Sequence, residues 1–231
     1  MRRFFSIVVL VMCLGLGTVL FSQPDSENLR VRVWLGEVSV GPHDSVAVIP
    51  VYMSNPYDTI AGIELNVIID DNRNLFFALD DIKEDGLEHS VDTAGTMISG
   101  WEWIGVNSLK GEYHQMKVAG MADWPGGKST LPLMPQDSGL LLKLVLRVES
   151  ILAFDPTQTI TVKLGGENTG LSDYKGNTIG VVTTMEKVCV KTVGDSCVSW
   201  KDKRIGRLDE NIVRFESGFI TINDSVPKTS E

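Results

Sequence analysis

The stretch from Leu140 to Val148 constrains the fold more narrowly than any other. Leu140, Leu142, Leu144, Leu146 and Val148 occupy alternate positions, with Lys143 and Arg147 between them. In a strand, successive side chains point to opposite faces, so the leucines fill one face and the two cations mark the other. The pattern recurs. Ile63, Leu65, Val67 and Ile69 alternate with Gly62, Glu64, Asn66 and Ile68, and residues Met116 to Ala122 behave similarly. Ile160 to Leu164, Ile179 to Val182 and Phe219 to Ile222 add short apolar runs. Val46 to Met53 is denser and reads as a strand covered on both faces. Val31, Val33 and Leu35 continue to Val38 and Val40 across Gly36-Glu37, an interruption that predicts a bulge. Gly, Pro, Asn and Asp clusters separate the runs. No apolar set repeats at helical spacing over a long window, and Leu75 to Leu87 has room for one short helical turn. Many short strands without intervening helices predict an all-β sandwich or barrel.

The first residues follow a different logic. Met1-Arg2-Arg3 is a basic start, Phe4 to Leu14 is almost unbroken apolar sequence, and Gly15, Gly17, Ser22 and Pro24 then break it. Positive, apolar, then small is the layout of a secretory signal peptide, here residues 1–22, cleaved near Ser22. The run to Phe21 is also long enough to span a bilayer as a retained anchor. Residues 23–28 form a polar leader, 29–224 one sandwich domain, and 225–231 a tail. Removal of the signal takes two arginines, so Lys+Arg falls from 21 to 19 against 30 acids, a net charge near −11. Such a balance argues against a nucleic-acid groove or a basic membrane-docking face.

The exported chain keeps two cysteines, Cys189 and Cys197. In an oxidising compartment a close pair reads as a disulfide, not a metal site. Residues 184–211 break the strand rhythm and carry the charged run Lys201-Asp202-Lys203-Arg204. They read as an insertion in which the two cysteines face each other directly across a hairpin. Thr192-Val193-Gly194 would then be a three-residue loop.

A resemblance lies in the order of several segments. Ser54-Asn55-Pro56-Tyr57-Asp58-Thr59-Ile60-Ala61-Gly62-Ile63-Glu64-Leu65 leads into Ile69-Asp70 and then Asp71-Asn72-Arg73-Asn74-Leu75. Before it stands Val40-Gly41-Pro42-His43-Asp44-Ser45-Val46, with Val48, Pro50 and Val51 following. Asp137-Ser138-Gly139-Leu140-Leu141 opens the leucine-rich strand, and Ser217-Gly218-Phe219-Ile220-Thr221-Ile222 is the closing one. Together these resemble a cohesin module over Val31 to Val182 plus Val213 to Asn223. The resemblance implies a flattened jelly-roll sandwich, related to some carbohydrate-binding modules. It further implies a non-catalytic extracellular or cell-surface role: binding dockerin modules in polysaccharide-degrading assemblies. Glu64 falls where cohesins place an acidic residue facing the dockerin. Asn66 shares its side of the strand, and Asp123 lies near another such position. The same residues also read as ordinary solvated faces of an antiparallel sheet.

Other constellations carry two readings each. Trp101 and Trp103, two apart, would share a strand face; side by side they would form a platform for sugar rings, or else they belong to the core. Asp70, Asn72 and Asn74 match the first, third and fifth places of a calcium loop. Leu75 stands where that loop needs Gly, and Asp81 where it needs Glu, so a polar turn is the reading. His43, His89 and His114 show no metal spacing. No nucleophile elbow is present, and acid pairs such as Asp80-Asp81 read as loop acids. No metal, no cofactor and no enzyme activity are expected. Protein module, glycan binder and structural surface protein are the three functional readings.

Overall fold

A strand with one apolar face hides that face by packing against a second sheet. The computed structural model describes residues 28–41, 44–70, 75–77, 90–108, 114–123, 130–148, 157–166 and 169–223, and these contain no α-helix. The strands are β1 (Val31–Leu35), β2 (Val38–Val40), β3 (Val46–Asn55), β4 (Gly62–Ile69), β5 (Leu75–Phe77), β6 (Val91–Asp92), β7 (Trp103–Ser108) and β8 (Gln115–Met121). They continue with β9 (Gln136–Val148), β10 (Thr157–Leu164), β11 (Gly170–Ser172), β12 (Val181–Val193), β13 (Ser196–Leu208), β14 (Val213–Glu216) and β15 (Gly218–Asn223). One sheet runs β14-β1-β3-β9-β5, with β6 also on β9. The other runs β2-β15-β10-β4-β8-β7, with β11 also on β4, while β12 and β13 pair as a separate ribbon. The fold is a jelly-roll sandwich carrying a stapled hairpin.

The core forms where the two inner faces meet. Ile49, Val51 and Met53 of β3 and Leu142, Leu144 and Leu146 of β9 come from one sheet. Leu65 and Val67 of β4, Met116 and Val118 of β8, and Val162 and Ile220 come from the other. Each such side chain contributes roughly 1.5–3 kcal/mol relative to full exposure.

Three local expectations change. Gly36-Glu37 is not a bulge: β1 and β2 belong to different sheets, and the chain crosses between them there. β14 and β15 make the same crossing alongside, with Trp34 opposite Glu216 and Val38 opposite Ile220. Gly218 allows this close approach, since a Cβ there would lie 2.6 Å from the Leu35 Cβ. The β3 run is covered on one face only: Ala47, Ile49, Val51 and Met53 are buried, while Val46 and Val48 are exposed. In β9 the alternation slips, because Val51 pairs with Leu142 but Tyr52 with Leu140. Leu141 is therefore the extra residue of a bulge, and both it and Leu142 point inward.

The disulfide forms between Cys189 and Cys197, Cα–Cα 5.8 Å, but not between directly opposed residues. Cys189 pairs with Trp200 and Cys197 with Thr192, the register shifting between them. Val193 pairs with Ser196, so the turn is Gly194-Asp195, with Gly194 at φ 57°. The hairpin is also longer than expected. Val181 and Val182, read as a body strand, already belong to the exposed ribbon, which reaches Leu208.

Residues 1–27, the tail 224–231, the His43 and His89 positions, the Asp71–Asn74 turn, Asp80-Asp81 and residues 78–87 lie outside the described residues.

Candidate functional site

The registers of β11, β4, β8 and β7 define one outward face row by row. Ser172, Gly62, Met121 and Trp103 form the first row, and Gly170, Glu64, Ala119 and Gly105 the second. Asn66, Lys117 and Asn107 form the third. Small residues dominate the centre, so this part of the face is flat. Trp103 lies across it: a Cβ on Gly105 would fall 2.5 Å from the Trp103 Cζ2. The missing side chain at position 105 is what lets the indole lie down on the sheet. Glu64 and Lys117, diagonal neighbours on adjacent strands, form an ion pair beside it. Both are partly exposed, so the pair adds little stability, about 0–1 kcal/mol, and mainly sets a polar edge. A depression of about 300 Å³ lies between Trp103, Met121, Glu64, Gly62, Ser172 and Thr178.

A second hollow, about 330 Å³, continues past Met121 and Ser172. Asp123, Leu131, Asp173 and Tyr174 border it. Leu131 and Tyr174 are strongly exposed, 86% and 66%. Tyr174 stands on a tight turn organised by Asp173. The Asp173 Oδ1 accepts from the Lys175 and Asn177 backbone N–H groups, both at 2.8 Å, and Oδ2 accepts from the Asn177 side chain at 2.9 Å. Gly176 closes the turn at φ 78°. These bonds, the Asn177 side chain first, hold the Asp173 carboxyl below the usual aspartate range.

The residues singled out from sequence divide. Glu64 and Asp123 are on the surface, Glu64 in the centre of the face and Asp123 at its end. Asn66 is on the same side of β4 but is buried. Its N–H donates to the Thr169 Oγ1 at 3.3 Å and its C=O accepts from Gly165 N–H at 3.0 Å, so the residues after β10 cover it. As an exposed contact residue it is corrected to a structural one. Trp101 and Trp103 do not share a face. β7 begins at Trp103, the chain turns at Gly100 (φ 98°), and Trp101 packs inward near Gly120 and Ile63. The paired sugar platform is therefore absent, and one ring goes to each side. Asp70 directly follows β4 and pairs with Lys163 at 2.7 Å.

Sequence reasoning missed Lys117, Met121, Leu131 and Tyr174. Only register brings the first two beside Glu64 and Trp103. The Asp-Tyr-Lys-Gly-Asn order of the turn was the available signal for Tyr174.

No protein-family model matches the chain, and no curated protein matches it. Solved structures do. A type III cohesin module of the cell-surface anchoring scaffoldin ScaE from Ruminococcus flavefaciens aligns over 86% of this chain and 92% of its own, with TM-score 0.52 and 14% identity. The third ScaC cohesin of Acetivibrio cellulolyticus, solved with the ScaB dockerin, aligns over 84% and 99%, with TM-score 0.51 and 11% identity. A type I cohesin–dockerin complex from Clostridium thermocellum aligns over 84% and 94%, with TM-score 0.50 and 11% identity.

Proposed function

We propose, taking as premise that this chain has the cohesin fold, that it is a non-catalytic, exported binding module whose partner is a dockerin-type protein. The docking surface is the β11-β4-β8-β7 face. The observation that carries this reading is the placement of Trp103, flat over Gly105 and beside Met121, with the Glu64–Lys117 pair at its edge. An aromatic anchor on a flat apolar centre, rimmed by charge, is the anatomy of a specific protein interface. The solved neighbours with bound dockerins support the choice of partner.

The test is calorimetric titration of the exported chain with dockerin modules encoded by its own organism. A Trp103→Ala change removes an anchor worth about 2 kcal/mol, so Kd should rise roughly 30-fold. Unchanged affinity in a Trp103→Ala/Met121→Ser double variant would move the interface elsewhere. Soluble glycans that quench tryptophan fluorescence, with the quenching lost in Trp103→Ala, would favour the glycan-binding reading instead.

A further inference from the structure

Apart from Leu208 at its base, which packs against the core, the ribbon of β12 and β13 plays no part in the sandwich or in the face just described. Each strand has 13 residues, so it extends for about 40 Å. No residue of either strand is buried, and the strands pair only with each other. Near its turn, Val190, Val193, Val198 and Trp200 are exposed, Trp200 by 59%. An isolated two-stranded ribbon is marginal in water, and apolar residues at its end only add to the exposed surface.

Its charge is opposite to that of the body. Residues 181–208 hold six basic residues (Lys187, Lys191, Lys201, Lys203, Arg204 and Arg207) against three acidic ones. The rest of the chain holds fifteen basic against twenty-seven acidic. Ribbon-to-ribbon pairing would bring like charges together, while ribbon-to-body contact brings opposite ones. The body offers a site of matching chemistry in the hollow lined by Met121, Ala122, Leu131 and Pro132, with the carboxylates of Asp123 and Asp173 on its margin and, among the described residues, a single cation, Lys175, over the Tyr174 ring.

We propose that the stapled ribbon of one copy docks into the Asp123–Tyr174 hollow of a second copy. Trp200 and the neighbouring valines supply the apolar contact, and Lys187 and Arg204, on the same face of the ribbon as Trp200, meet the carboxylates at the margin. The two surfaces differ, so the contact is head-to-tail. It leaves a free ribbon at one end and a free hollow at the other, and it builds chains unless the rotation closes. The disulfide has a role in this: it orders the tip before docking and so reduces the entropy lost on association.

Sedimentation velocity of the exported chain (residue 23 onward) across a dilution series tests this. The wild type should grow in size with concentration, and added salt should reverse the growth. A ribbon variant, Lys187→Glu/Arg204→Glu, should weaken self-association more than about tenfold. A hollow variant, Leu131→Ser/Tyr174→Ser, should do the same. Mixing the two variants should yield a heterodimer and nothing larger, because each supplies one intact half. Since each variant binds its complement in that mixture, loss of association from misfolding is distinguished. A wild type that stays monomeric throughout would overturn the proposal. Self-association indifferent to the ribbon variant, or a mixture that fails to pair, would do so equally.

Discussion

Replacing Cys189 and Cys197 by Ser should loosen the ribbon and leave the sandwich alone. The cross-link spans a separation of 8 residues. For a ring of that size the chain-entropy relation gives about 2.5 kcal/mol at 25 °C. The structure decides where that energy is felt. β12 and β13 form their own sheet with no buried residue, and only Leu208 at the base packs against the core, so opening of the tip requires no core side chain to move. The stapled ring encloses the tip, from Val190 to Ser196, and the remaining pairs down to Val181–Leu208 lie outside it. Hydrogen exchange read by mass spectrometry resolves the two bodies. In the double Ser variant, amide protection near the tip should fall by up to about 70-fold, the equivalent of 2.5 kcal/mol. Protection in β3, β4 and β9 should stay unchanged, and so should the calorimetric unfolding temperature of the sandwich. A fall in that temperature would show that ribbon and sandwich unfold as one unit. Unchanged tip protection would show that strand pairing alone holds the ribbon. Either result refutes the reasoning.

Other consequences follow from single residues. Gly105→Val should drive the Trp103 indole off the face, because even its Cβ would meet the ring at 2.5 Å; affinity for the proposed dockerin-type partner should drop while the unfolding midpoint moves by no more than about 2–4 °C. Gly180 has φ 73° and lies where a Cβ would sit 2.5 Å from the Val213 Cγ2. Gly180→Ala should therefore cost roughly 1–3 kcal/mol in urea unfolding, through strain at the ribbon base. Asp173 is held below the usual aspartate range, so the turn it organises gains stability above the unfolded aspartate range and loses it as pH falls through the folded value. Tyr174 and Asn177 NMR signals should report that loss at acid pH, and Asp173→Ala should abolish the pH dependence. Leu144→Ala, at a fully buried position, should destabilise the sandwich by about 2–5 kcal/mol.

Alternation made the strands legible. Ile63, Leu65, Val67 and Ile69 are all buried, as their spacing requires, and so are Leu142, Leu144, Leu146 and Val148. Period two carries no information about a one-residue slip, so the inward turn of Leu141 at the β9 bulge was hidden. The same limit explains Trp101 and Trp103. Their two-residue spacing gives one face only if both lie in a strand, and β7 starts at the second of them. Glu64 and Asn66 do share a side of β4, yet the segment after β10, roughly a hundred residues later, covers one and leaves the other open.

Sequence by itself determined the class of fold, the main alternating strands and most of their inward residues, the disulfide pair and the acidic balance. These rest on local periodicity and composition, which a chain carries before it folds. Tertiary structure decided which strands became neighbours, and with them the site: Lys117 beside Glu64, Trp103 flat on Gly105, and Tyr174 at the margin of a hollow with Asp123. It also decided that the hairpin stands apart with its charge opposed to that of the body. Contacts between residues distant in sequence depend on register and sheet stacking, which no local pattern encodes.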